Sequence, residues 1–193
     1  MEIIHGIPHQ FRKPAIGLFL DALGEKIVPA MGKRSRAEGL LDKCMKSEGC
    51  ILAVDGKNLL GMAGLNSKET SFVEAGLSDF IRFAGFFRSV WTLPILASME
   101  HPTATDEYYI DMLAVSPNAR GKGVGRTLIA EIEKRARSLK KKRVTLQVVD
   151  TNPRAKKLYE KLGFCTIKTY NTYPWGLMVG WTFRKVDFME KRL

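Results

Sequence analysis

The sequence predicts an α/β protein, and three stretches carry that expectation. An apolar run, Glu107–Val115, breaks at Ser116-Pro117, crosses a glycine-rich turn and enters a helical pattern over Val124–Leu139. A second apolar run, Arg143–Val149, follows, and a strand–helix–strand series of this kind makes a parallel pair. Upstream, Cys50–Val54 and Leu59–Leu65 flank the turn Asp55-Gly56 and read as a β-hairpin. The 193 residues suit one domain with a core of its own, 1–193, interrupted by a helical insertion at about 72–99.

Taken in order, Met1–Ile7 reads as a first strand ending at Gly6 and Pro8. Two helical patterns follow between Phe11 and Leu41. The first places Phe11, Ala15, Leu18, Phe19 and Ala22 on one face; the second runs from Ser35 to Ser47, with Gly24, Pro29 and Gly32 breaking the region between. After the hairpin, Phe72–Met99 sets Val73, Leu77, Phe80, Ile81, Ala84, Phe87 and Trp91 at helical spacing beside a seam of Ser78, Arg82, Gly85, Ser89 and Thr92. Asp79, Arg82, Arg88 and Pro94 interrupt it too often for a membrane span. It reads as a core-packed helix or a homodimer surface, or as a cover over a substrate site on which Arg82 or Arg88 selects an acidic group. Further on, Asp150-Thr-Asn152-Pro153 supplies a helix cap with proline at the first helical position. Ala155, Leu158, Tyr159 and Leu162 then keep helical spacing up to Gly163. Phe164–Tyr170 and Leu177–Glu190 provide the closing strands.

Composition narrows the partners without naming one. Thirty-one basic and twenty acidic side chains leave a formal charge of +11, a bias toward anions that a small molecule carrying several phosphates, RNA or an anionic membrane would each satisfy. Part of the excess, between Glu131 and Arg143, reads as a solvated helix face ending in cations. Cys44, Cys50 and Cys165 are odd in number and wrongly spaced for a disulfide framework or a zinc site, which implies a reducing compartment. His5, His9 and His101 are scattered, so no catalytic metal is expected. The N-terminal residues lack the pattern of a signal peptide, and a cytoplasmic protein is the default.

The glycine-rich turn carries the chemistry. Arg120, Gly121, Gly123 and Gly125 leave the backbone bare where a loop feeds a helix, so main-chain N–H groups and the positive helix end can face an anion such as a pyrophosphate. Neither the P-loop frame nor the dinucleotide fingerprint fits these letters, because Gly125 is followed by Arg126 and the frame from Gly121 ends on Arg126. R-x-x-G-x-G does fit, as Arg120-Gly-Lys-Gly123-Val-Gly125. With the preceding Leu113-Ala-Val it resembles the acetyl-coenzyme A loop of the GCN5-related N-acetyltransferase (GNAT) family. A second segment, Asn152-Pro-Arg-Ala-Lys-Lys-Leu-Tyr159-Glu-Lys-Leu-Gly-Phe164, resembles the same family one strand later, and Val186–Leu193 is similar to its last strand.

The resemblance implies a GNAT fold: a mixed, bent sheet of about six or seven strands with helices on both faces and splayed central parallel strands. It implies acetyl-CoA (coenzyme A, CoA) as cosubstrate, held by Leu113, Ala114 and Val115 along the pantetheine and by Arg120, Gly121, Lys122, Gly123, Val124, Gly125 and Arg126 at the pyrophosphate. Asn152, Ala155, Leu158 and Tyr159 would complete the site, with Tyr159 the acid that protonates the leaving thiolate. Many members place a glutamate base where Tyr109 stands here. Asp111 and Glu107, two places to either side, share that role as candidates with a water relay. The function implied is N-acetyl transfer to a primary amine of a small molecule, peptide or protein. A CoA-binding regulatory module and a basic RNA- or ribosome-associated protein are the alternatives, nucleic acid being the weaker because no aromatic-and-basic recognition motif is present.

Overall fold

A computed structural model of the chain describes residues 1–90, 101–178 and 180–193, without the side chains of Lys26, Trp175 and Met178. Its strands are β1 (Glu2–His5), β2 (Cys50–Asp55), β3 (Asn58–Asn66), β4 (Glu107–Val115), β5 (Arg143–Val149), β6 (Cys165–Asn171) and β7 (Lys185–Arg192). The helices are α1 (His9–Met31), α2 (Arg34–Cys44), α3 (Leu77–Ala84), α4 (Val124–Ser138), α5 (Pro153–Lys161) and α6 (Trp175–Met178). Together the strands make one mixed sheet in the order β1-β2-β3-β4-β5-β7-β6. β4 and β5 are parallel, and every other neighbouring pair is antiparallel.

Apolar alternation decides which face each strand residue serves. In β2, Cys50, Leu52 and Val54 enter a core beneath α1 and α2, while Ile51 and Ala53 enter a second core with Leu128, Ile129 and Ile132 of α4. A strand buried on both faces lies in the interior of a sheet with helices on each side, as the sequence predicts.

Three elements depart from the expected pattern. Gly24 and Pro29 do not end a helix: α1 runs unbroken for 23 residues, with Pro14 and Pro29 inside it, and stops at Gly32 in the left-handed conformation. Burial of Phe11, Ala15, Phe19, Leu20, Ala30 and Met31 offsets the lost backbone hydrogen bonds and poor local propensity. The stretch from Phe72 is not one helix. It contains α3, a break at Gly85 (φ +88°) and a further helical run at 86–90; residues 91–100 lie outside the described ones. α3 packs into the α1/α2 core through Phe80 and Phe83, and Lys43 is paired with Asp79. Finally, of the last strand expected over Leu177–Glu190, Leu177 and Met178 lie in α6 and residues 180–184 are not strand. The Trp181 N–H donates to the Gly176 carbonyl at 2.9 Å and the Arg184 N–H to Asp150 Oδ1 at 3.2 Å, so amides expected in a ladder are satisfied by turns and a side chain instead. Strand β7 begins only at Lys185.

Candidate active site

The parallel ladder between β4 and β5 is short. It joins Glu107 to Arg143 and continues to Ile110 opposite Leu146, and there it ends. Beyond it β4 continues on β3, as Met112 opposite Gly64 through Val115 opposite Gly61, while β5 continues on β7 from Gln147 opposite Phe188 to Val149 opposite Val186. The register of β3 and β4 shifts between Gly64 and Leu65, which makes Asp111 the extra, bulged residue. The shift also changes the strand's parity: Ile110 and Leu113 both reach the α4 side, while Met112 and Ala114 reach the α1 side. The two central strands therefore diverge and leave the facing backbone edges of Asp111–Val115 and Gln147–Val149 without each other as partners.

A cleft of about 940 Å³ occupies the divergence. At its mouth, Pro117–Ala119 form one 3₁₀ turn and Gly121 and Gly123 take φ of +78° and +81° before α4 begins. Only residues without a Cβ adopt those angles readily, which explains the glycine spacing. The Thr127 N–H to the Gly123 carbonyl, at 3.0 Å, is the first bond of the helix, so the amides of Val124, Gly125 and Arg126 are those a helix start leaves without an intrahelical acceptor. Gly125 is different: a Cβ there would stand 3.4 Å from Leu158 Cδ2, so glycine keeps the wall between loop and α5 thin. Bare amides, a positive helix end and an open wall together fit a phosphate-bearing chain.

Leu113, Ala114, Val115, Arg120, Gly121, Gly123, Val124, Gly125, Arg126, Asn152, Ala155, Leu158 and Tyr159 all line this cleft, and so does Asp111. Lys122 is exposed and not part of the lining. Arg120 turns back on the loop, its Nε 3.4 Å from the Val115 carbonyl. Asn152 caps α5: its Oδ1 accepts from the Ala155 N–H at 3.1 Å, which leaves the side-chain NH₂ as its remaining donor. Tyr159 is 7 % exposed and tilted against Phe164, and burial pushes its pKa up to about 12.

Glu107 is not brought to the cleft. It lies at the ladder end of β4, 1 % exposed, where Ala104 N–H (3.0 Å), His101 Nε2 (2.7 Å) and the Thr145 hydroxyl all meet its carboxylate. Burial alone would raise its pKa. The hydrogen bonds from His101, Thr145 and Ala104 outweigh burial and hold it down at about 2. Arg82 and Arg88 do not line the cleft either. Arg82 lies over the Phe83 ring, and Arg88 Nη1 donates to the Pro29 carbonyl at 2.7 Å.

On one wall the sequence singled out segments, Phe11–Leu41 and Tyr170–Trp181, but named no site residue. Leu18, Phe19, Asp21, Ala22, Leu23 and Ile27 of α1, together with Trp181, line the cleft, and Arg154 joins Arg120 and Arg126 in its lining. The signal for Arg154 was present, one residue past the Asn152-Pro153 cap; nothing in the spacing of α1 distinguishes a cleft wall from an ordinary core face.

A mixed sheet split at its parallel pair, with a glycine loop and helix start at the mouth of the split, defines an acyltransferase type of α/β protein. The chain belongs to the GNAT acetyltransferase family, whose family profile matches residues 25–164. The fold is that of solved acetyltransferases. One described only as an acetyltransferase is 17 % identical, with a TM-score of 0.64 over 100 % of this chain and 99 % of its own. The Bacillus subtilis acetyltransferase in complex with CoA is 17 % identical, with a TM-score of 0.61 over 100 % and 98 %. A GCN5-related N-acetyltransferase from Kribbella flavida is 18 % identical, with a TM-score of 0.60 over 100 % and 97 %. No curated protein matches the sequence. Among the described residues, no helix is long and apolar enough to cross a membrane.

Proposed function

We propose that the protein moves the acetyl group of acetyl-CoA directly to a primary amine. The observation that carries this reading is the split between β4 and β5, which sets a glycine-rich anion loop, free strand edges and a buried phenol along one cleft. The complex of the Bacillus subtilis protein with CoA supports the choice of cosubstrate.

Backbone groups of Leu113, Ala114 and Val115 bind the pantetheine as an added strand would bind, and the amides from Gly121 to Arg126 meet the pyrophosphate. Arg120, Arg126 and Arg154 surround those phosphates with positive charge. The thioester supplies the activated acetyl carbonyl. The acceptor ammonium gives up one proton before attack, through Asp111 at the bulge or a water held there, and a second once its C–N bond has formed. As the C–S bond breaks, the Tyr159 hydroxyl donates a proton to sulfur and recovers one from the solvent path. Thiol and amide are the products, with one net proton released. Of the two carboxylates on β4, Asp111 takes the base role, because Glu107 is enclosed by donors away from the cleft.

Calorimetry with acetyl-CoA, followed by thiol release against a panel of amines, tests the proposal. Saturable binding and acceptor-dependent release are expected. Binding with no release from any amine would instead favour a regulatory CoA-binding module, and no binding at all would overturn the assignment of the loop.

A further inference from the structure

The split in the sheet is lined from both of its faces. Leu113, Val115 and Tyr159 belong to the core on the α4 side, and Phe19, Leu23 and Ile27 of α1 to the core on the other. The glycine loop starts α4, so CoA lies on the α4 side and the acceptor meets the thioester from the α1 side.

Tyr109 belongs to the acceptor's side. Its neighbours Tyr108 and Ile110 both enter the α4 core, so strand alternation turns the Tyr109 side chain to the opposite face. It lines the cleft and is 6 % exposed. Its ring is held: the His101 ring lies against it with centroids 5.1 Å apart, and against Phe188 of β7 at 4.5 Å. Its hydroxyl is not held. Among the described residues no hydrogen bond reaches that oxygen, yet it is not sealed either, because the buried side-chain atom left there without a partner is Arg143 Nε. Gln147 lines the cleft from the same face, since Leu146 and Val148 enter the α4 core. No ring contact or hydrogen bond among the described residues fixes its side-chain amide, so Tyr109 is the group set in advance.

A neutral primary amine has two N–H bonds and one lone pair. One N–H loses its proton along the path already described; holding the other fixes where the lone pair points. The group that holds it must accept a hydrogen bond without taking the proton. Burial pushes the Tyr109 phenol well above its ordinary value, and the carboxylates of Asp111 and Glu107 add to the shift, so the oxygen stays a hydroxyl and never becomes a competing phenolate.

We infer that Tyr109 orients the acceptor, its oxygen taking one N–H of the amine and aiming the lone pair at the thioester carbonyl, and that His101 is a positioning residue acting through the Tyr109 ring. This rests on the acetyl-transfer reading above and adds to it the group that directs the nucleophile. Glu107 sets His101 through an oxygen that glutamine would also present, so Glu107→Gln leaves Tyr109 in place.

The test is thiol release from acetyl-CoA with 2-phenylethylamine, spermidine, glycinamide and a lysine-containing peptide, with CoA binding followed by calorimetry and folding by thermal melting. Tyr109→Phe keeps the ring and removes the oxygen. It should lower kcat/KM about tenfold, the scale of one hydrogen bond, by the same factor for every amine the wild type accepts, with CoA affinity and Tm unchanged. His101→Ala should lower kcat/KM in the wild type and cause no further loss in the Tyr109→Phe background. An unchanged rate for Tyr109→Phe, a factor that differs from amine to amine, or an equal loss of CoA affinity overturns the role of Tyr109. Losses that multiply in the double variant overturn the role of His101; if His101→Ala does not fold, Tyr109→Phe decides alone. A wild type that releases no thiol with any amine removes the acetyl-transfer reading and this inference with it, whereas turnover by the wild type and an unaffected Tyr109→Phe remove the inference alone.

Discussion

Burial pushes the Tyr159 phenol up to about 12, so its hydroxyl remains protonated through the neutral range and can serve as a donor without a partner to hold the proton. Tyr159→Phe should lower kcat by roughly 100-fold with little change in CoA affinity, the scale expected of a general acid; an unchanged kcat would remove Tyr159 as that acid. For the same reason kcat should rise with pH as the amine loses its proton and show no falling limb from this residue below about pH 11. Glu107 has the opposite environment. Its pKa, held at about 2 against an ordinary 4.5, contributes stability that is complete above pH 4.5 and is lost as pH falls toward 2, roughly 3 kcal/mol in all. Glu107→Gln should flatten that acid loss and lower Tm by about 5 °C, while turnover per folded molecule stays the same. A folded variant with abolished turnover would restore Glu107 as the base. From the sequence the two carboxylates were equivalent, each two places from Tyr109. What separates them is the enclosure of one by His101 and Thr145 and the bulge under the other, and both depend on contacts with distant parts of the chain.

Elements differ in how far their letters reveal them. The glycine loop was legible because its requirement is local: φ of +78° and +81° at Gly121 and Gly123 demands glycine whatever surrounds it. Gly123→Val should therefore weaken CoA binding by more than tenfold and also lower Tm, since a β-branched residue at that angle is strained. Gly125→Ala separates the two effects. Its Cβ would meet ordinary contacts, Leu158 at 3.4 Å, Val115 at 3.7 Å and Leu113 at 3.8 Å, so Tm should hold while CoA affinity falls; equal affinity would mean that the wall does not need to be thin. The α5 cap was legible for the same local reason, and Asn152 does accept from the Ala155 amide. α1 was not, because its prolines and Gly24 oppose a helix that only the core beneath it maintains. The final strand was misplaced at its start because the buried Val186, Phe188 and Met189 of β7 continue an apolar composition already present in Trp181 and Phe183, which pack with Val186 in a small cluster before the strand begins.

For the molecule as a whole, the charge of +11 predicts a bias toward anions, but its distribution was not available from the letters. Arg120, Arg126 and Arg154 line the cleft from a loop, a helix start and a second helix. All three are exposed, so CoA affinity should weaken about tenfold as ionic strength rises from roughly 0.05 to 0.5 M. Titration calorimetry across that range would show it, and salt-independent binding would mean that these arginines do not meet the phosphates. The short parallel ladder has a mechanical meaning as well. Strands β1–β4 form one plate and β5, β7 and β6 another, and between them only the seam from Glu107 opposite Arg143 to Ile110 opposite Leu146 runs in register. The jaws widen away from that seam. A cosubstrate that hydrogen-bonds the inner edge of one jaw while its phosphates grip the loop acts as a splint across the gap, and the buried Glu107 knot at the seam serves as the rivet about which both plates are set.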